Sequence, residues 1–207
     1  MGFSFRASRC VFKIGGPAQY FDMGREIIER VEKNLTTLEP KSKGLRFAAV
    51  SIILRDRDSP SVLLIKRADH ASDPWSGQIA FPGGKMQQGD RTARDTAVRE
   101  TMEEVGIDLD GAAEFLGYAS ATTTHTGTMD VVPSVFVLKQ GVEIRPNDEV
   151  ASYRWVNLED FLGPNGKSTY SLNYEGRTIE MPAFLAGDYV VWGLTHRILS
   201  SVLKGPE

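Results

Sequence analysis

The stretch FPGGKMQQGDRTARDTAVRETMEEVGI, Phe81 to Ile107, decides how this chain is read. It sets a Gly-Gly turn ahead of a helical run and crowds Glu100, Glu103 and Glu104 beside Arg99. At about 100° per residue, positions 100, 103 and 104 share an arc of roughly 100° on one helix face. Three carboxylates there repel one another, and the macrodipole disfavours them further near a helix C-terminus. Such a cluster calls for a compensating cation. A solvated acidic face on a surface helix is the plainer alternative.

All-oxygen ligation by carboxylates suits Mg²⁺ or Mn²⁺, and the one cysteine and three histidines show no zinc spacing. Magnesium usually keeps several waters and binds substrate phosphates together with one or two carboxylates. A phosphate-bearing substrate follows.

These residues resemble the Nudix hydrolase signature, G-x5-E-x7-R-E-U-x-E-E-x-G-U with U a bulky apolar residue. Gly84 supplies the first glycine, and Arg99 to Ile107 follow the second half, with Thr101 standing at an apolar position. Fourteen residues, 85 to 98, separate Gly84 from Arg99 where the general signature has thirteen. Counting forward puts Asp90 at the glutamate position and counting back puts Arg91 there. Asp90 is preferred, because an acidic residue suits a helix N-terminus and can cap it.

The longer spacing is similar to that of the coenzyme A pyrophosphatase-like branch. Leu63, Leu64 and Arg67, then Gly77, Gln78, Ile79, Phe81, Pro82, Gly83 and Gly84, resemble that branch's L-L-x-x-R and G-Q-V-x-F-P-G-G segments. Trp192, Gly193 and Thr195 resemble its W-G-x-T segment, which opens the last helix. The interval Ala68 to Ser76, ADHASDPWS, departs from the branch: it is one residue longer, and His70 is its only basic candidate.

The resemblance implies an α/β Nudix fold, a mixed β-sheet sandwiched between α-helices. It implies metal-dependent hydrolysis of a diphosphate linkage in a nucleoside diphosphate-X substrate. Coenzyme A is the favoured example, giving adenosine 3′,5′-bisphosphate and 4′-phosphopantetheine. ADP-ribose, a nucleotide sugar or a (d)NTP is the alternative substrate, and a nucleotide-sensing module without hydrolysis is the alternative class. Glu100, Glu103 and Glu104 are the metal-ligand candidates, and by resemblance the Gly84 carbonyl completes the shell. Arg99 is placed to brace this cluster. A later-loop glutamate acts as base or extra ligand in many family members, which points to Glu149, with Asp148 in reserve.

Substrate contacts are assigned to Gly83, Gly84 and Arg67, whose guanidinium offers a fixed fork of donors to phosphate; a surface ion pair is the alternative for Arg67. Trp75 either stacks on a nucleobase or packs inside. Thr122 to Gly127 reads as a polar loop. His125 and His196 have no partner at motif spacing.

Composition fits one domain, residues 1–207, with 1–44 an N-terminal helical extension. A chain of 207 residues with 41% apolar content can bury one sizeable core. A net charge of −3 gives no global attraction to nucleic acid or anionic membrane. Cys10 alone makes no intramolecular disulfide. The opening residues carry Arg6, Arg9 and Lys13 but no secretory apolar core. A cytoplasmic enzyme is expected, with a homodimer as the assembly common in the family.

Apolar spacing predicts a helix over Asp22 to Leu35, a hairpin of Arg46 to Leu54 with Val62 to Ile65, and a short strand over Gln78 to Phe81. Thr92 to Val105 is the signature helix, with Ala97, Val98, Thr101 and Val105 on its inner face. Strands follow over Phe115 to Ala121, Val131 to Leu138 and Tyr153 to Val156, the last leading into Leu158 to Leu162. A final helix is expected over Asp188 to Leu203, capped by Asp188 and burying Trp192.

Overall fold

Alternation along one strand, Arg46–Arg55 (β1), explains the layering. Ala48, Ile52 and Leu54 enter one apolar cluster, whereas Ala49 and Ile53 enter another. Successive strand side chains point to opposite faces, so β1 lies between two covering layers.

The computed structural model describes residues 23–41, 46–56, 59–70, 75–174 and 176–205. The hairpin is present: Ser61–Arg67 (β2) pairs antiparallel with β1 at Leu54↔Val62 and Arg55↔Ser61. Two short strands then separate the pair. Ile79–Ala80 (β3) takes the far end of β2, and Gly83–Lys85 (β4) takes the start of β1. Between them the Ser51 N–H donates to the Pro82 carbonyl at 2.8 Å.

Ala113–Tyr118 (β5), Thr122–Thr123 (β6), Met129–Leu138 (β7) and Val150–Asn157 (β8) complete an eight-stranded mixed sheet. β7 runs parallel to β1 along its whole length and carries β5 and β6 on its other edge, while β8 pairs with β2.

One face of the sheet is covered by Ala93–Val105 (α2) and Leu109–Ala112 (α3). The other is covered by Met23–Lys33 (α1), Leu158–Leu162 (α4) and Gly193–Lys204 (α5). The expected mixed sheet between helices is therefore the fold. Among the described residues no helix is long and apolar enough to cross a membrane.

Four expectations need correction. The last helix begins at Gly193, because Tyr189–Trp192 is a strand (β11) whose Tyr189 and Val191 face the core in period-two alternation. Asp188 caps nothing there and pairs instead with Arg154 at 2.6 Å. Trp192 is half-buried and stacks on Tyr170 at 4.3 Å rather than entering the core. The run Thr122 to Gly127 is a loop only in part, since Thr122 and Thr123 form β6. Asp22, Cys10, Arg6, Arg9 and Lys13 lie outside the described residues.

A second sheet escaped the sequence reading entirely. Lys167–Tyr174 (β9) and Arg177–Ala186 (β10) form a long hairpin, and β11 adds to its base. Phe184 and Ala186 dock it on the first core, while Ile179, on the opposite parity of β10, stays 43% exposed.

Candidate functional site

α2 presents the acidic residues because small side chains let it sit close to the sheet. Ala93 and Ala97 are fully buried beneath it. Ser51 Oγ donates to the Ala97 carbonyl at 3.0 Å, and Thr101 Oγ1 donates to Ser51 Oγ at 2.7 Å. Thr101 thus fills an apolar signature position as a buried, satisfied hydroxyl.

The helix is capped at both ends, though not by Asp90. Thr92 is the N-cap and accepts from the Asp95 N–H at 3.0 Å, while Glu39 Oε1 accepts from the Ala93 N–H at 2.6 Å. Gly106 ends the helix in the left-handed region at φ 70°.

Asp90 has another task. Its two oxygens accept from Arg99 Nε and Nη2 at 3.2 and 2.9 Å, and Oδ2 also takes the Gln87 N–H and the Thr96 hydroxyl. The Arg99 fork holds the Asp90 carboxyl down to about 2. Nη1 of the same guanidinium reaches Glu100 at 2.9 Å and Glu103 at 3.1 Å, and Nη2 donates to the Lys85 carbonyl at 3.1 Å. Arg99 therefore bonds three carboxylates, those of Asp90, Glu100 and Glu103.

Glu104 lies deeper, 3% exposed, where its Oε2 accepts the Gly83 N–H at 2.8 Å. Burial lifts its carboxyl to about 7; the Gly83 N–H opposes this, the Glu100 charge adds to it, Arg67 opposes and Glu149 adds. Burial also raises Glu100, against the pull of Arg99 and with help from Glu103 and Glu149. Among the described residues no cation forms an ion pair with Glu104. Glu103 is more open, with 53% of its side chain exposed.

Two loops reach this point from elsewhere. Arg145 and Asn147 donate their backbone N–H groups to the Val105 and Glu104 carbonyls, each at 2.9 Å. These bonds satisfy carbonyls that a helix end leaves open, and they hold the following Glu149 beside the cluster. The Ala68 N–H then donates to the Glu149 carbonyl at 2.8 Å, next to Arg67 at the end of β2. The structure thus gathers Gly83, Gly84, Arg67, Glu100, Glu104 and Glu149, with Arg99 and Glu103 on the solvent side. Asp148 is exposed, His125 sits exposed after β6, and His196 packs on Phe184 at 4.4 Å.

A cation site needs donors that gain from it. Two carboxylates held up by burial, with a third negative side chain adding to both, form such a set, and two are as many as magnesium usually takes from a protein. Among the described residues no three acidic, histidine or cysteine side chains already stand grouped as a complete ligand set. The fit rests on Glu100 and Glu104.

The pH dependence of stability follows for protein kept metal-free by a chelator. A carboxyl raised from 4.5 to about 7 binds its proton more tightly folded than unfolded. Stability from Glu104 is complete below about pH 4.5, falls as pH rises to about 7 and is level above, by up to about 3 kcal/mol. Asp90 has the opposite sign: its contribution is present above 3.8 and lost as pH falls towards 2. Urea unfolding from pH 4.5 to 8 is expected to show the decline in wild type and a flatter curve in Glu104→Gln. Parallel curves would refute the assignment.

A glycine-rich strand set against a helix that buries acidic side chains, on a sheet layered between helices, is the arrangement of a Nudix protein. Comparison agrees: residues 45–173 match the family model described as the NUDIX domain. The protein named "Uncharacterized Nudix hydrolase NudL" of Yersinia pestis (strain Pestoides F) is 32% identical over 155 residues, 74% of this chain and 76% of that protein. Its namesake in Yersinia pseudotuberculosis (serotype O:1b, strain IP 31758) matches to the same extent. Among solved structures, the C. elegans Ap4A hydrolase binary complex is 21% identical with a TM-score of 0.47, covering 56% of this chain and 83% of that one. The chain belongs to the Nudix family. It is a Nudix pyrophosphohydrolase, an enzyme that hydrolyses phosphoric anhydrides.

Proposed function

We propose that this enzyme cleaves the diphosphate of coenzyme A, giving adenosine 3′,5′-bisphosphate and 4′-phosphopantetheine, with Mg²⁺ or Mn²⁺ held by Glu100 and Glu104 and the Gly84 carbonyl. The observation that carries the reaction is the pair of buried Glu104 and half-buried Glu100 set against the Gly83–Gly84 strand. When bound, the dication neutralises phosphate oxygens and lowers the pKa of an attached water. The chain's own residues do the rest. Arg67, whose charge already reaches Glu104, is the phosphate contact. Glu149 is the base that accepts a proton from the attacking water, held for this by the bonds that tie its loop to α2 and β2. Arg99 takes no part in the chemistry and keeps Glu100 and Glu103 in place.

The choice of coenzyme A is supported by the spacing between Gly84 and Arg99 and by the segments around Arg67 and Gly77. One observation favours a second reading. A 3′-phosphate calls for basic partners, and from Ala68 to Ser76 the only basic candidate is His70. ADP-ribose, a nucleotide sugar or a (d)NTP needs no such partner.

A panel of these compounds, hydrolysed in ¹⁸O-labelled water with Mg²⁺ and with Mn²⁺, separates the readings. Label in one product of coenzyme A also identifies the phosphorus attacked. Consumption of ADP-ribose with coenzyme A left intact would end the coenzyme A assignment.

A further inference from the structure

Ser51 touches both halves of the reaction site. Its N–H donates to the Pro82 carbonyl at 2.8 Å, and the two residues before it on β1, Val50 and Ala49, pair with Gly83 and Gly84. Its hydroxyl reaches the other half. Oγ donates to the Ala97 carbonyl at 3.0 Å and accepts from Thr101 Oγ1 at 2.7 Å, so one oxygen grips α2 at two points about a turn apart.

Packing alone would hold this helix loosely. Ala93 and Ala97 set only methyl groups against the sheet, and such a contact resists sliding far less than hydrogen bonds, which constrain direction as well as distance. Ser51, Ala97 and Thr101 are fully buried, so water does not compete for the two bonds. Thr101 directly follows Glu100 and stands three residues before Glu104. A slide of α2 at this point would move both carboxylates off the glycine strand, including the Glu104 bond to the Gly83 N–H.

We propose that Ser51 and Thr101 form a clamp that fixes the register of the acidic helix on the sheet and so keeps Glu100 and Glu104 in place beside Gly83 and Gly84. Both are positioning residues and touch no reacting atom. The proposal rests on the reading of that site given above and deepens it. A neighbour supplies the control. Ser134 is the register partner of Ser51 on β7, shares the parity of Val132 and Phe136 in the cluster beneath α2, and is fully buried, yet its Oγ has no hydrogen-bond partner among the described residues.

Ser51→Ala combined with Thr101→Val removes both hydroxyls and strands neither, a change that is nearly neutral for stability when shape is kept. The double variant is expected to melt within a few degrees of wild type. Exchange of the Gly83 amide hydrogen, followed by NMR in chelator, should nevertheless quicken about tenfold or more. kcat on the best substrate of the panel should fall about tenfold to a hundredfold with KM little changed. Ser134→Ala should alter none of these. Should the double variant unfold, Thr101→Val is expected to show the loss of kcat and Thr101→Ser, which keeps the hydroxyl, to escape it. Faster Gly83 exchange in a protein that hydrolyses no compound of the panel would leave the clamp standing and end the reaction reading. Native Gly83 exchange or native kcat in the double variant, equal changes in Ser134→Ala, or an equal loss of kcat in Thr101→Ser and Thr101→Val would overturn the clamp.

Discussion

Replacing Glu104 with glutamine is expected to lower metal-dependent turnover by about a thousandfold while the fold remains intact. The side chain is buried and its Oε2 accepts the Gly83 N–H at 2.8 Å, a bond that the glutamine carbonyl can keep. What glutamine removes is the negative charge. A dication's stabilisation of a phosphoryl transition state is worth several kcal/mol, and about 1.4 kcal/mol corresponds to a factor of ten in rate. Folding should not suffer. Burial already penalises the Glu104 carboxylate, so a neutral isostere is expected to melt at the wild-type temperature or above it in chelator.

Glu103→Gln is the internal comparison. With 53% of its side chain exposed and one contact to Arg99, Glu103 should matter less than its buried neighbour. kcat/KM measured with Mg²⁺ and Mn²⁺, beside thermal melts of each variant, decides the matter. Turnover within a few-fold of wild type in folded Glu104→Gln would remove the basis for the proposed metal site.

The reason Glu104 stood out in the sequence is also the reason other features did not. A helix face is a local property: the spacing 100, 103, 104, the glycine at 106 and the alanines at 93 and 97 all lie within one segment, and α2 forms where they place it. β1 and β2 were legible for the same reason, through runs that alternate between two cores. Asp90 shows where local reasoning stops. Near a helix start its carboxylate suits a cap, yet the Arg99 fork nine residues on is a stronger partner, and Thr92 serves as the cap.

Glu149 was proposed through family resemblance alone. Its place depends on two backbone bonds from residues 145 and 147 to the end of α2, which no spacing in the sequence encodes. The hairpin of β9 and β10 was missed for a different reason. Its core-facing Phe184 and Ala186 lie only at its base, while Ile179 further out is exposed, and Pro182 interrupts the run as a strand breaker would. A strand supported along only part of its length has no sustained alternation of buried and exposed residues to read.

The two adjacent glycines of β4 should fail in different ways when each is changed to alanine. At Gly83, φ is +154°, and an added Cβ would lie 2.6 Å from Val50 Cα and closer still to the Ala49 carbonyl oxygen. Both obstacles are backbone atoms of β1, the strand that β4 pairs with at Val50↔Gly83 and Ala49↔Gly84. Neither can turn aside, so the sheet must shift. Backbone strain and overpacking together are expected to destabilise Gly83→Ala by about 3 kcal/mol or more, a loss of roughly 6–12 °C in Tm for a chain of this size. At Gly84 the three atoms nearest to an added Cβ all belong to the Glu100 carboxylate, at 2.5 to 2.7 Å. That group ends a flexible side chain and can swing away, so Gly84→Ala should melt within a few degrees of wild type. The swing carries Glu100 off its position beside Glu104, and a displacement of about 1 Å at a reacting centre can lower turnover a hundredfold. Thermal melts and kcat/KM for the two variants test both halves. A native melting temperature in Gly83→Ala would refute the steric account of the strand, and full activity in Gly84→Ala would show that the position of Glu100 does not govern the chemistry.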